Sequence, residues 1–328
     1  MKHLSRLLVA FAVMASLTVV SAGEMDLKLA IATPEGHHAT MGLQRMRDAI
    51  EKNTNGRITA TVYVGGQLIS GERELMDGLQ FGTVDIGLVS TGMMSAYDDK
   101  FMLFSLPFLF RDVENAYKTC DGPIGDSFKK IVLDKIGVVI LGWTMGGVHT
   151  ITTSKRPVNT MADLKGLKLR CMENPIITEA WKAYGAAPTP MSLGEVFTAL
   201  QQGTIDGQDN GTANTYANKY YEVQKYLVMT EHMIVPGLFA MSLEKYEAIP
   251  DDLKQPFEDA VKEATKFQRE EYARQDAAAV DNMKAKGMEI CYPDKVDFNK
   301  AAEGVRANFI KKMGPEMDQW IKDIQTKY

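Results

Sequence analysis

The side chain whose type and position point most directly to chemistry is an arginine at the end of a short apolar segment. Arg170 closes a predicted strand at residues 167–170, after a turn at Gly166. Strand carboxyl ends in open α/β sheets border the crevice that binds ligands, and a guanidinium offers a rigid fork of donors that matches a carboxylate. We therefore predict that Arg170 binds a ligand carboxylate. The alternatives are a solvated arginine and an internal ion pair.

Two other polar side chains occupy similar places in the sequence. Asn210 follows a predicted strand at residues 205–208, and its amide can donate to a carboxylate or accept from a hydroxyl. A turn-forming asparagine before Gly211 is the alternative. Glu72 begins a predicted helix, where the helix dipole alone would favour an acid. Both Asn210 and Glu72 are candidates for contacts with the same ligand.

Four further residues are candidates because of their ring chemistry. Trp143 and His149 bracket the glycine pair at residues 146–147, which could serve as a hinge. Tyr216 and Phe239 could form part of an aromatic ligand wall, although packing in a core is the alternative for each. His149 can donate a hydrogen bond, or a charged one if it is protonated.

The sequence contains no catalytic motif of the HExxH, GxSxG, Walker or GxGxxG type. The adjacent His37 and His38 are poorly placed to share one metal ion, so we interpret them as surface-loop histidines and keep His37 as a candidate ligand contact. Cys120, Cys171 and Cys291 lie far apart in the sequence and form no CxxC pair. An oxidising compartment would permit one disulfide between two of them, and the sequence does not indicate which two. We therefore predict a protein that is not an enzyme and has no cofactor or metal.

The N-terminal residues have the three-part pattern of a secretory signal peptide. A short basic stretch precedes an apolar run at residues 7–20, and small residues follow, with cleavage expected after Ala22. A membrane anchor is the alternative, but the run is too short to cross a bilayer comfortably. We predict a signal peptide at residues 1–22 and a periplasmic location.

The overall charge argues against one class of partner. The formal net charge is -5, with acids and bases interspersed. Since no basic block marks a surface for nucleic acid, we predict no nucleic-acid binding.

The elements that would position these side chains alternate between strand-like and helix-like patterns. One such run covers residues 27–143, and a second covers residues 167–208. This alternation of strands and helices is typical of sheets with mainly parallel strands that are covered by helices. Residues 250–286 form the longest predicted helix, and the part from residue 256 to residue 286 alone, at roughly 45 Å, exceeds the width of one small lobe. The sequence therefore predicts an α/β protein with two lobes and one helix that runs along both.

Several long motifs, in one order, resemble those of the extracytoplasmic solute receptors of TRAP transporters. They are TNGRI (54–58), GQL (66–68), SKRPV (154–158), LKGLKLRCMENP (164–175) and GAAPTPMSLGEVFTALQQGTIDGQDN (185–210). The resemblance runs from about residue 28 to the end of the chain. It implies a periplasmic-binding-protein type II-like fold, with two α/β lobes, a ligand cleft between them and a long helix shared by both.

The resemblance also implies roles and boundaries. Arg170 would form the main salt bridge to the ligand carboxylate, and Asn210, Glu72 and Leu193 would contact the ligand. Lobe I would comprise residues 23–147 plus 236–275, and lobe II residues 148–235 plus 276–328. The partners would be a small carboxylate and the membrane subunits of the transporter, with the receptor itself a monomer.

Four positions depart from the family pattern. His149 replaces a second arginine, Leu193 replaces a common phenylalanine, and Asp209 and Gly211 flank Asn210 where the family often has Glu and Pro. The missing arginine favours a monocarboxylate, such as a sugar acid or a hydroxy or keto acid. The alternatives are a C4-dicarboxylate receptor, a receptor for an ABC importer or a sensor with the same fold, a secreted enzyme and a structural protein.

Overall fold

The computed structural model describes residues 23–328 as one mixed sheet covered by helices. The predicted signal peptide, residues 1–22, lies outside the described residues. The strands are β1 (Met25–Ala30), β2 (Ile58–Tyr63), β3 (Ile86–Ser90), β4 (Val138–Thr153), β5 (Lys168–Cys171), β6 (Ala187–Pro190), β7 (Gly207–Gly211), β8 (Tyr226–Ser242) and β9 (Glu289–Cys291).

Twelve α-helices alternate with these strands over the described part of the chain. They are α1 (His38–Asn53), α2 (Glu72–Phe81), α3 (Thr91–Met94), α4 (Val113–Cys120), α5 (Pro123–Ile136), α6 (Pro175–Ala183), α7 (Leu193–Gln201), α8 (Thr212–Ala217), α9 (Leu243–Glu247), α10 (Asp251–Ala285), α11 (Val296–Met313) and α12 (Pro315–Thr326). Short 3-10 helices lie at Asp99–Ser105, Met161–Leu164 and Tyr220–Glu222. Within residues 23–328, no helix is both long and apolar enough to span a bilayer.

The two halves of the sheet repeat one pattern. The strand order is β2-β1-β3-β8-β4-β7-β5-β6, with β9 beside β8. β1 lies between two parallel neighbours, β2 and β3, as β5 lies between β6 and β7. β8 adds an antiparallel strand to the first half and β4 adds one to the second. Each half is therefore an α/β lobe, which confirms the predicted fold class.

The long strands β4 and β8 join the two lobes. β4 has 16 residues and β8 has 17, and they pair antiparallel along most of their length. The glycine pair at residues 146–147 lies within β4, where the register shifts between Met145 and Gly147. Gly147 has φ +154°, and a Cβ there would lie 2.9 Å from the Cα of Gly211. Only glycine therefore fits this crossing of β4 and β7 without strain.

The predicted long helix is confirmed as α10, whose 35 residues span about 52 Å. Its first half buries Leu253 and Phe257 in a core shared with β1 and α1. Its last turns bury Ala279 and Met283 against Leu227 of β8, in a separate core. The helix therefore packs against both lobes.

The C-terminal segment is divided into two helices. α11 and α12 are separated by a break at Gly314. Gly314 has φ +87°, and Pro315, which begins α12, lacks the N–H that a continuous helix would need. The three cysteines are buried and unpaired in the structure.

Candidate functional site

A cavity of about 360 Å³ opens between the lobes at the carboxyl ends of the parallel strands. The segments that follow β1, β3, β5, β6 and β7 all contribute to its wall. Residues from these segments include Thr33, Ser90, Arg170, Met172, Met191, Leu193, Asn210 and Asn214. This is the place where open α/β sheets bind ligands, and its volume suits a small molecule.

Arg170 lies in the wall of this cavity with only 3% of its surface exposed. Its Nε and Nη2 donate to the carbonyl of Met191 at 3.0 and 2.8 Å, and its Nη1 donates to the carbonyl of Asp209 at 3.3 Å. No carboxylate of the described residues lies within 4.0 Å of the guanidinium. The backbone carbonyls hold the side chain in place, and the positive charge lacks an anionic partner within hydrogen-bonding range.

Asn210 presents the donor end of its amide to the cavity. Its Oδ1 accepts from the main-chain N–H of Gly211 at 2.8 Å and from Nδ2 of Asn214 at 3.1 Å. With both lone pairs of Oδ1 occupied, the free donors on Nδ2 have no hydrogen-bond partner among residues 23–328. The amide is therefore oriented to donate to a ligand oxygen.

His37 and His38 fix the orientation of Asn214. Nδ1 of His37 accepts from the N–H of Ala39 at 3.1 Å, and Nδ1 of His38 accepts from the amide of Gln268 at 2.8 Å. Each ring must then carry its proton on Nε2, and both Nε2 groups donate to Oδ1 of Asn214, at 2.7 and 3.0 Å. The amide nitrogen of Asn214 therefore faces Asn210 and completes the chain of hydrogen bonds.

Burial keeps both of these histidines neutral. His37 and His38 are 2% and 1% exposed, so the interpretation as surface-loop residues is wrong. Burial lowers the pKa of His38 to about 4, and the pKa of His37 falls well below its usual value through burial and the neighbouring ring. His37 and His38 both line the cavity, where they act as hydrogen-bond donors without charge.

Glu72 lies at the start of α2 on the lobe I side of the cavity. Its carboxylate accepts from the main-chain N–H of Ser90 at 3.1 Å and from the Ser90 hydroxyl at 2.6 Å. Burial raises the pKa of Glu72, while the two hydrogen bonds from Ser90 and the charge of Arg170 oppose that rise. The carboxylate is held as an acceptor, which suits a hydroxyl group of a ligand.

His149 belongs to a buried group around Asp209. Nδ1 of His149 lies 2.6 Å from Oδ1 of Asp209, and the indole N–H of Trp181 donates to Oδ2 at 2.9 Å. Nε2 of His232 lies 3.6 Å from the same Oδ1. Burial alone would raise the pKa of Asp209, but the two histidines outweigh it and hold that pKa well below its ordinary value.

This group is also the only set of three potential metal-ligand side chains among the described residues. Two atoms bound to one zinc ion at about 2.0–2.1 Å in tetrahedral geometry would lie more than 3 Å apart. The 2.6 Å between His149 and Asp209 is instead the length of a hydrogen bond. The arrangement therefore fits a hydrogen bond between His149 and Asp209, with His232 beside the same carboxylate oxygen.

The remaining sequence candidates divide into two sets. Leu193 begins α7 and lines the cavity. The aromatic candidates lie elsewhere: Trp143 and Phe239 are 2% and 0% exposed within two hydrophobic cores, and Tyr216 packs against Tyr221. These three rings do not line the cavity, so they are not the ligand contacts for which they were candidates.

Several residues that shape the site escaped the sequence analysis. Ser90 is the last residue of β3 and binds Glu72, and a polar residue at a strand end is the same signal that identified Arg170. Asn214 lies four residues after Asn210, one turn into α8. Gln268 reaches the site from α10, more than 200 residues away from His38, and no local pattern in the sequence indicates that contact.

Comparison with known proteins agrees with this architecture. The model of bacterial extracellular solute-binding protein family 7 matches residues 29–312. A solute-binding protein of Verminephrobacter eiseniae is 35% identical over 93% of this chain and 91% of its own.

Two solved structures described as TRAP periplasmic solute binding proteins are also similar. One, from Bordetella bronchispeptica with density assigned to pantoate, has 36% identity and a TM-score of 0.88 over 93% of this chain and 99% of its own. The other, from Polaromonas sp. JS666 with bound D-erythronate, has 35% identity and a TM-score of 0.87 over 92% and 99%. These similarities confirm the resemblance and the type II-like fold. The chain belongs to bacterial extracellular solute-binding protein family 7.

Proposed function

We propose that this protein is the periplasmic receptor of a TRAP-type importer and captures a small organic monocarboxylate in the cavity between its lobes. The observation that carries the proposal is Arg170, a buried guanidinium that lines the cavity and forms no ion pair with any described carboxylate. A buried charge without a partner is costly, so the site favours an anion that supplies one. A ligand carboxylate fits the free donors of Arg170 and Asn210 together.

The ligand class follows from the rest of the wall. Glu72 can accept a hydrogen bond from a hydroxyl group, and Asn210 can donate to a hydroxyl or keto oxygen next to the carboxylate. Pantoate and D-erythronate, the ligands named for two similar structures, are both monocarboxylates with a hydroxyl group on carbon 2. We therefore infer a sugar acid or a hydroxy or keto acid.

The mechanism we infer is closure of two lobes around the ligand. Lobe I comprises residues 23–147 plus 236–275, and lobe II comprises residues 148–235 plus 276–328. The register shift between Met145 and Gly147 supports a bend at that boundary. A ligand stabilises the closed form only through contacts that form on closure, here Arg170 from lobe II with Glu72 from lobe I.

The delivery step is part of the same proposal. The signal peptide at residues 1–22 would direct the chain to the periplasm, where the monomeric receptor would present its closed form to the membrane subunits of the importer. The receptor would release the ligand chemically unchanged, since the matching family is one of solute-binding proteins and not of enzymes.

A thermal-shift screen of organic acids tests this proposal. We expect erythronate, pantoate or a related hydroxy acid to raise the melting temperature progressively above its dissociation constant. Mass spectrometry of the mixture after incubation should return the acid unchanged. A larger shift with succinate or malate would favour a C4-dicarboxylate receptor, and no shift with any carboxylate would contradict the proposal.

A further inference from the structure

The buried group of His149, Asp209 and His232 contains two imidazole rings but only one carboxylate. Asp209 is the single carboxylate, and it already accepts from His149 at 2.6 Å and from Trp181 at 2.9 Å. His232 is 2% exposed, and its Nε2 has no hydrogen-bond partner in the described structure. Two imidazoles thus share one carboxylate, and the group can hold an additional proton.

His149 connects this group to the cavity. It lines the cavity, its Nδ1 is occupied by Asp209, and its Nε2 forms no hydrogen bond within residues 23–328. The rings of His149 and His232 lie 6.3 Å apart, centroid to centroid, on either side of the carboxylate. Protonation of His149 would therefore place an N–H on the cavity side while Asp209 stabilises the charge from behind.

The charges around His149 come from every neighbouring element. Arg170 on β5 donates to the Asp209 carbonyl, Glu72 on α2 faces Arg170, and Tyr272 on α10 bonds the main-chain N–H of Val148. The remaining titratable groups close enough to interact with Asp209 are Cys171 and Tyr184. Arg170 interacts at longer range with the Glu72 carboxylate and Asp209 interacts with the His149 ring, so a ligand carboxylate beside His149 adds a further negative charge to this set.

The side chains lining the cavity that could take up a compensating proton are three histidines and four carboxylates, namely His37, His38, His149, Glu72, Glu74, Asp77 and Glu173. In His37 and His38, both ring nitrogens already form hydrogen bonds within the protein. Burial raises the pKa of Glu72 and its two hydrogen bonds from Ser90 oppose that rise, so Glu72 is the second candidate for the proton. His149 gains a hydrogen bond to the ligand when it is protonated, whereas Glu72 would lose an acceptor.

From this geometry we propose that ligand binding is coupled to proton uptake, with the proton bound on His149 between Asp209 and the ligand carboxylate. This inference rests on the proposed function, because it needs an anionic ligand. The affinity would then increase as the pH falls.

Isothermal titration calorimetry in buffers of different ionisation enthalpy measures the proton uptake directly. With the acid that gives the largest thermal shift, we expect uptake of about 0.5–1 proton per ligand near pH 7.5, and a dissociation constant that rises up to about tenfold per pH unit above it. A binding enthalpy that does not depend on the buffer would overturn the inference and leave the receptor function intact. Absence of any binding would contradict both.

Two variants assign the proton to a residue. His149→Gln should abolish the uptake, whereas Glu72→Gln should retain it even where the affinity falls. The exposed Glu247→Gln, outside the cavity, is the control for a change of charge. Proton uptake that persists in His149→Gln and disappears in Glu72→Gln would overturn the assignment of the proton to His149. If a variant fails to fold, the buffer dependence of the binding enthalpy of the wild-type protein still decides whether uptake occurs.

Discussion

Hydrogen bonds among a few side chains decide which atoms face the ligand. His37, His38 and Gln268 impose one orientation on Asn214, and Asn214 imposes one on Asn210. The donors of Asn210 are therefore available before a ligand arrives, so binding spends little free energy on reorganisation.

The neutral state of His38 predicts a dependence of stability on pH. Its folded-state pKa of about 4 lies below the value near 6.5 of an unfolded histidine, so the unfolded chain binds more protons between these values. The contribution of neutral His38 to the free energy of unfolding is fully present above pH 6.5. It is lost as the pH falls to 4, and the loss amounts to up to about 3 kcal/mol. Urea unfolding of wild type and His38→Gln at pH 7 and pH 4.5 measures it. Equal losses in the two proteins would contradict this account.

Removal of Asn214 should weaken binding without a direct contact to the ligand. Asn214→Ala frees the Asn210 amide to rotate, and we expect the affinity for the best acid to fall about tenfold, or about 1.4 kcal/mol. Asn308→Ala, which removes an exposed amide paired with Glu179, is the matched control and should bind as wild type does. Calorimetry that finds the same loss in both variants would refute the orienting role.

At this scale the sequence identified the residues that end strands but not their partners. Arg170, Asn210 and Glu72 follow recognisable strand or helix boundaries, and the structure brings all three to one cavity. The wrong predictions concern rings: Trp143 and Phe239 belong to cores, because an aromatic residue on a strand packs equally well on either face.

The pairing of α1 with α10 is the element-scale feature that supports the site. α1 carries His38 and α10 carries Gln268, so their side-chain contact depends on close packing of the two helices. Gly42 allows that approach, since a Cβ there would lie 2.8 Å from Cγ of Gln268. The sequence predicted both helices but could not indicate which faces meet.

Two glycines in helix interiors should respond in opposite ways to alanine. Gly42→Ala forces the new methyl group into Gln268, and we expect a loss of about 1–3 kcal/mol in the free energy of unfolding. Gly304→Ala in α11 meets nothing within 4 Å and should stabilise by about 0.5–1 kcal/mol. Chemical denaturation of both variants checks this, and a stabilised Gly42→Ala would show that the helices do not pack as described.

The strand β8 shows where sequence patterns stop being informative. It has 17 residues, nearly all buried, and the sequence analysis did not predict it. A strand buried on both faces lacks the alternation of polar and apolar residues that marks a strand in a sequence. Its central position between β3 and β4 is a property of the assembled sheet.

The arrangement of the whole molecule brings the two lobes into contact at the mouth of the cavity. Gly194, at the start of α7 in lobe II, lies against Ser70 in lobe I, and a Cβ on Gly194 would be 3.2 Å from the Ser70 carbonyl oxygen. Asn174, at the start of α6, also reaches across to Gly92, Ser95 and Ser105. In the proposed closure, these contacts between the lobes would form together with the contacts to the ligand.

A larger side chain at Gly194 should oppose closure. We expect Gly194→Val to weaken ligand binding by about tenfold, because the closed lobes would have to separate at Ser70. The melting temperature without ligand should stay near that of wild type, which separates closure from folding. Unchanged affinity in Gly194→Val would show that the contact does not form in the bound state.

The charge of Arg170 is the central claim, and calorimetry of Arg170→Gln with the acid that gives the largest thermal shift tests it most directly. Glutamine keeps hydrogen-bonding capacity but removes the charge, and we predict a loss of about 2–5 kcal/mol, roughly 30-fold or more in affinity. Arg274→Gln, an exposed arginine paired with Glu271, should bind as wild type does. If Arg170→Gln binds the acid as tightly as wild type, the carboxylate lies elsewhere and the proposed site is wrong.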